Sequence, residues 1–126
     1  QLNGKPITAS RRTKLGGARI PVDQLPEAVN DLLIVQKPNS IALRIAMVAA
    51  DQADLVATLR WGYEWDVAAA TLIAREAGAQ VSEAFGKPLN FNKRDPRDFG
   101  VLVSSPAIHE AIAQRIRPMA ETLRDK

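Results

Sequence analysis

The alanine-rich run from Val67 to Ala77 constrains the fold more tightly than any other part of the chain. Alanine loses no side-chain freedom in a helix, and Gly78 supplies the left-handed position at which a helix stops. The alternating stretch Ala79-Gln80-Val81-Ser82-Glu83 follows at once and reads as a strand. A helix with so little side-chain bulk must lie close against a neighbour.

The same grammar repeats along the chain. Asn3-Gly4-Lys5-Pro6 predicts a tight turn in an opening hairpin, and Ala18-Arg19-Ile20-Pro21-Val22 predicts a short strand behind Gly16-Gly17. Pro26 to Leu33 predicts a helix with proline and acids in its first turn, with Ile34-Val35 turning extended. Ser40 caps a helix over Ile41 to Ala50 whose apolar content predicts burial on most sides. Ala53 to Leu59 reads as a strand, Arg60 to Glu64 as an aromatic-rich loop, Phe85 to Leu89 as a turn and Gly100 to Ser105 as a buried strand. From Pro106 a last amphipathic helix carries Ile108, Ala111, Ile112, Ile116 and Met119, which leaves His109 on its polar side, facing solvent. Helices alternating with short strands imply a layered α/β sandwich over one domain, residues 1–126. Residues 1–22 form the entering hairpin and strand region, and 23–126 the α/β lobe.

Composition excludes several functions. The 126 residues contain no Cys, so disulfides, Cys-ligated zinc, iron–sulfur clusters and thiol nucleophiles are absent, and the lone His109 rules out a His-rich metal site. The formal charge of +3 is too small for a strong field. Its densest clusters, Arg11-Arg12 with Lys14 and Lys93 to Asp98, lack interleaved aromatics, which argues against nucleic acid as a partner. No apolar run approaches the roughly 20 residues that cross a bilayer, and no signal-peptide layout opens the chain; a cytoplasmic protein without a membrane partner is expected. The missing initiator Met implies a start inside a longer protein.

Asp66 is the informative carboxylate, where an aromatic-rich segment meets a tightly packed helix. It either caps that helix, worth about 0.5–2 kcal/mol, or serves as a hard oxygen ligand for Mg²⁺. Arg60 is either a phosphate or base-side contact or a solvated arginine. Arg44 lies one turn beyond Ser40 and either reaches the same site or forms a helix salt bridge. Trp61, Tyr63 and Trp65 line an adenine pocket or simply pack, and Glu64 points away from its neighbour Asp66. Asp95-Pro96-Arg97-Asp98-Phe99-Gly100 reads as a loop before the last strand.

Trp65-Asp66-Val67-Ala68-Ala69-Ala70, continuing to Glu76-Ala77-Gly78-Ala79, resembles the C-terminal W-D-x-A-A-G and E-A-G-G signature of the inositol monophosphatase family. Leu2 to Ile7 resembles its N-G-K-P hairpin, Asn39 to Leu43 its G-S-x-A-L helix start, Val48 to Asp54 its V-A-x-G-x-A-D segment and Phe85 to Leu89 its x-G-x-P-L turn. Together these cover nearly the whole chain in family order. Glu64-Trp65-Asp66 is closest to the E-W-D of bacterial 3′(2′),5′-bisphosphate nucleotidases. Asn39, Asp51, Ala70 and Ala79 stand where the family usually has glycine.

The resemblance implies the C-terminal lobe of the sugar-phosphatase fold, Mg²⁺ as cofactor, Li⁺ inhibition and a small phosphorylated substrate. It implies that Asp66 is a metal ligand and that Asn39, Ser40, Ile41, Arg44, Arg60, Glu64 and Asp66 contact substrate. The family's upstream Glu, G-D-E segment and D-P-x-D-G-T motif are not in these residues. The lobe alone is therefore expected to be inactive, with the N-terminal lobe of the same protein as its missing partner and a homodimer as a further assembly. The alternative is a noncatalytic ligand-binding or interaction domain that keeps the lobe architecture.

Overall fold

The computed structural model describes residues 7–63, 67–89 and 97–125. Among the described residues, five strands and three helices follow in the order β1 (Arg19–Pro21), β2 (Leu33–Val35), α1 (Ile41–Ala49), β3 (Leu55–Tyr63), α2 (Ala68–Glu76), β4 (Gln80–Ser82), β5 (Arg97–Ser104) and α3 (Pro106–Arg124). An antiparallel sheet runs in the order β3-β5-β4, and β1 pairs with β2 in parallel. The expected layered α/β architecture is the one observed. The opening turn at Asn3-Gly4 lies outside the described residues.

Strand alternation builds the layers. Val56, Val81, Val101 and Val103 face α1 and α2, where they join Ile45, Val48, Ala49, Val67, Ala70 and Ala74 in one core. Leu55 and Leu102 face the other way, onto Ile108, Ile112 and Ile116 of α3. The sheet is thus covered on both faces. Ala49, Ala70 and Ala74 are all buried in the α1–α2 layer, as the small side chains of the Val67–Ala77 run require.

Four local expectations are corrected. The segment from Pro26 forms only a 3-10 turn over Glu27–Val29, because the backbone that would continue a helix is taken by β1. Gly17 N–H donates to the Asp31 carbonyl at 2.7 Å and Leu33 N–H to the Ala18 carbonyl at 2.8 Å. Strand β3 runs on through Tyr63 instead of giving way to a loop at Arg60, since a register shift between Thr58 and Trp61 bends the strand without ending it. Likewise β5 starts at Arg97, so the second half of the supposed loop is paired, while 90–96 lie outside the described residues. Finally, α1 is buried on one side only: Ile45, Val48 and Ala49 are inside, whereas Leu43 is 58% exposed.

The β3 irregularity depends on Gly100. Its φ is +78°, and a Cβ there would overlap the Thr58 carbonyl oxygen and lie 2.6 Å from Ala84 Cβ. Val101 N–H donates to Thr58 Oγ1 at 2.9 Å across the same irregularity. A backbone oxygen cannot retreat from a side chain. Gly100→Ala is expected to destabilise the chain by about 3 kcal/mol or more, the range of overpacking combined with a left-handed backbone, as read from urea midpoints.

His109 is also corrected: it is 2% exposed, not on the surface. The apolar face of α3 is two rows wide, and His109, Ala113, Ile116 and Ala120 make up the second row. Ser82 of β4 and Ser104 of β5 project from the sheet onto the imidazole, with each Oγ 2.7 Å from a ring nitrogen. Each hydroxyl also reaches a backbone carbonyl, of Glu83 at 2.8 Å and of Ser105 at 2.9 Å. A neutral ring has one N–H and one lone pair, so one serine accepts from the ring while donating to its carbonyl, and the other turns its single hydrogen from its carbonyl to the ring. Burial lowers the His109 pKa to about 4. Between pH 6.5 and 4 the unfolded chain takes up a proton that the folded chain refuses, so stability is complete above about 6.5 and falls as the pH drops. The expected loss by pH 4 is about 3 kcal/mol. Urea unfolding across this range should show the slope in the native chain and a flatter one in His109→Gln; equal slopes would refute the buried neutral ring.

Candidate functional site

The start of α1 is built by its own sequence. Ser40 has extended backbone and its Oγ accepts from Leu43 N–H at 3.3 Å, as the cap reading requires. Arg44 folds back from the first turn: its Nε donates to the Pro38 carbonyl at 2.8 Å and an Nη to the Asn39 carbonyl at 3.0 Å. Its guanidinium thus holds the backbone leading into the helix instead of forming a helix salt bridge. Two of its five N–H donors are used in these bonds. Asn39 and Ser40 are exposed, and Ile41 and Arg44 half-buried, so the turn and the first helical amides face solvent on a braced frame.

The start of α2 lies against the same layer. Val67, buried, precedes Ala68 without a side-chain cap of its own. Glu64, Trp65 and Asp66 lie outside the described residues, so the choice between cap and metal ligand for Asp66 is not decided by geometry here. Arg60 sits exposed on β3 and, among the described residues, makes no hydrogen bond to the α1 start. Neither α1 nor α2 carries an acid in its first turn, and no group of three or more His, Asp or Glu converges among the described residues. These residues do not by themselves make a Mg²⁺ site.

The carboxylate that sequence reasoning passed over is Asp54, 2% exposed at the start of β3. It accepts from Ser10 Oγ at 2.6 Å, from the Arg19 amide at 2.7 Å and from the Arg19 guanidinium at 2.9 and 3.1 Å. Burial pushes its pKa up, but Arg19 and Ser10 together hold it below the ordinary carboxylate range. Arg19 also binds Asp51 Oδ1 at 2.6 Å. Asp51 has φ +58°, the left-handed position at which the family usually has glycine. The only sequence signal for this cluster was the place of Asp54 at the end of a family segment.

The sequence model of the inositol monophosphatase family matches residues 4–121. The chain belongs to the inositol monophosphatase family. It is 32% identical over 108 residues to inositol monophosphatase 3 of Solanum lycopersicum, covering 74% of this chain and 40% of that one. To inositol monophosphatase 1 of the same plant it is 26% identical over 131 residues, covering 92% and 46%. Inositol monophosphatase II of Staphylococcus aureus superposes with a TM-score of 0.78 at 23% identity, over 98% of this chain and 49% of that one. A Thermotoga maritima IMPase superposes at 0.76 and 23% identity, over 96% and 48%. These superpositions establish the fold as a lobe of the family architecture. The chain spans less than half the length of the two plant relatives and about half of the solved chains. No helix among the described residues is long and apolar enough to cross a membrane.

The bracing of the α1 start is testable. Arg44→Ala removes the donors to two carbonyls and should destabilise by about 1–2 kcal/mol. Ser40→Ala should cost about 0.5–1 kcal/mol, the low end for a cap with a long hydrogen bond. Thermal or urea unfolding measures both, and a silent Arg44→Ala would show that the guanidinium does not hold the turn.

Proposed function

We propose that this chain is the C-terminal half of a Mg²⁺-dependent phosphomonoesterase acting on 3′(2′),5′-bisphosphate nucleotides or inositol monophosphate, with Asp66 as one of its metal ligands. The observation that carries the reading is the family match over residues 4–121, a span that includes Trp65-Asp66 in sequence just before α2, together with the Ser40-capped start of α1, which packs in one layer with α2. Bound Mg²⁺ would polarise the phosphoryl group and lower the pKa of an attacking water. This chain's share is to offer one carboxylate oxygen from Asp66 and to present the first amides of α1, after Asn39 and Ser40, to anionic or hydroxyl groups of the substrate. The family resemblance adds Ile41, Arg44, Arg60 and Glu64 to the substrate contacts, Arg44 through its unused donors and Arg60 as a phosphate contact. One carboxylate does not complete a two-ion or in-line geometry, so the remaining acids come from the N-terminal half.

The covering half has a surface to meet. Leu43 on α1 and Leu72 and Ile73 on α2 are 58%, 58% and 50% exposed, and Pro38, Leu43, Ala46, Met47 and Ala50 line a mainly apolar groove of about 430 Å³. Large apolar side chains left exposed on both helices of one layer are what a face covered by another part of the protein would show. The staphylococcal structural neighbour has been crystallised with inositol monophosphate and with 2′AMP, one ligand of each phosphate class, which supports keeping both classes in the reading.

The test uses the polypeptide extended upstream as its gene encodes it. With Mg²⁺, phosphate release from 3′-phosphoadenosine 5′-phosphate and from inositol monophosphate is measured for the native protein and Asp66→Asn. Loss of a metal ligand should lower turnover by about a hundredfold or more, with thermal stability changed little. Turnover that survives Asp66→Asn would overturn the assignment.

A further inference from the structure

We propose that the cleft between the β3–β5 ladder and the C-terminal half of α3 binds a mononucleotide, with its base stacked at Trp61 and its phosphate held by arginines of α3. The sequence puts these residues far apart, and the fold assembles them. Trp61 of β3 is 48% exposed and meets Phe99 of β5 edge-on, with ring centroids 5.4 Å apart. Phe99 in turn meets Phe85 of the β4–β5 connection at 6.0 Å. A guanidinium lies at each end of this aromatic floor: Arg97 is 5.4 Å from the Trp61 centroid and Arg124 is 4.6 Å from that of Phe85. Arg117 and Lys87 complete a basic rim around about 380 Å³, within the size range of small-ligand sites.

Among the described residues, three acids, Glu83, Asp98 and Glu121, also line the cleft against four cations, Lys87, Arg97, Arg117 and Arg124, so the rim keeps an excess of one positive charge. Glu83 Oε1 accepts from the amides of Phe85 and Lys87. Arg117 pairs with Glu121 at 3.2 Å and Arg124 with Asp125 at 3.1 Å, both on exposed side chains, where such pairs contribute little. A phosphate replaces these carboxylates with little loss, and a flat ring gains a stacking face on a tryptophan already held in place by Phe99. An aromatic floor with cations at both ends selects a ligand that is planar at one point and anionic at another. Neither inorganic phosphate nor an uncharged nucleoside satisfies both. Asn39, Ser40, Ile41 and Arg44 do not line the cleft; Trp61, named above as an adenine-pocket candidate, does, and binding without metal separates this site from the phosphatase reading.

The experiment is calorimetric titration of the 126-residue chain with AMP in the presence of EDTA, which removes any metal-dependent binding. Saturable one-site binding is expected, at least about tenfold weaker for adenosine or inorganic phosphate alone. Trp61→Leu and Arg124→Gln should each weaken AMP by about tenfold or more, while Arg75→Gln on α2 should not. Arg124 is exposed near the end of α3, so its substitution tests the site even if Trp61→Leu fails to fold. The proposal is overturned by absence of saturation, by AMP binding that both cleft variants leave intact, or by phosphate binding as tightly as AMP. An oligoadenylate that binds more tightly than its number of nucleotides accounts for would likewise overturn it, in favour of a single-stranded nucleic-acid groove.

Discussion

The buried carboxylate of Asp54 is the interaction on which the arrangement of this lobe depends. Its side chain ties Ser10 and Arg19 together, its amide donates to the Arg19 carbonyl at 2.8 Å, and its carbonyl accepts from Ser105 N–H at 3.0 Å. One residue therefore fixes β1, the start of β3 and the start of α3 relative to each other. A buried charge is tolerated only when its lone pairs are occupied, and here four donors occupy them. Arg19 extends the lock to Asp51 at the end of α1, so the helix that carries the candidate substrate edge is anchored at its far end by the same cluster.

From that anchor the layers follow. The sheet is packed on both faces, and the α1–α2 layer is held to it by valines on one side while keeping leucines and an isoleucine exposed on the other. Burial is thus concentrated around the sheet, and apolar surface is left on the α1–α2 layer. The braced turn at Pro38-Asn39-Ser40 makes functional sense on such a frame: backbone amides aimed at a ligand are useful only if the ligand does not have to order them first.

Much of the fold was legible because helix signals are local. The Ser40 cap, the Val67–Ala77 alanine run and the Gly78 stop, with φ +104°, needed no knowledge of distant residues. The failures share a different cause, namely partners far away in sequence. Pro26 to Leu33 lost its helix to pairing with residues 17–19, and Arg60 to Tyr63 became strand because β5 lies opposite. His109 was drawn inside by two serines more than a turn away on other elements. The candidate site divides in the same way. The Ser40 cap and the position of Arg44 could be read from the pattern, which also singled out Asp66 as either cap or metal ligand; only the family motif tipped Asp66 toward the metal and added Asn39, Ile41 and Glu64 as substrate contacts. The Arg97–Trp61 contact was hidden, because its members stand 36 positions apart in a cluster that reads as solvated charge.

On the proposed function, this chain holds one half of a divided phosphatase site. The most direct measurement is phosphate release from inositol monophosphate and from 3′-phosphoadenosine 5′-phosphate by the folded 126-residue chain with saturating Mg²⁺. The account predicts no release above the protein-free rate, since a single carboxylate cannot assemble the ions and the attacking water. Steady turnover by this chain, abolished by Asp66→Asn, would contradict it by showing that the lobe carries a complete site.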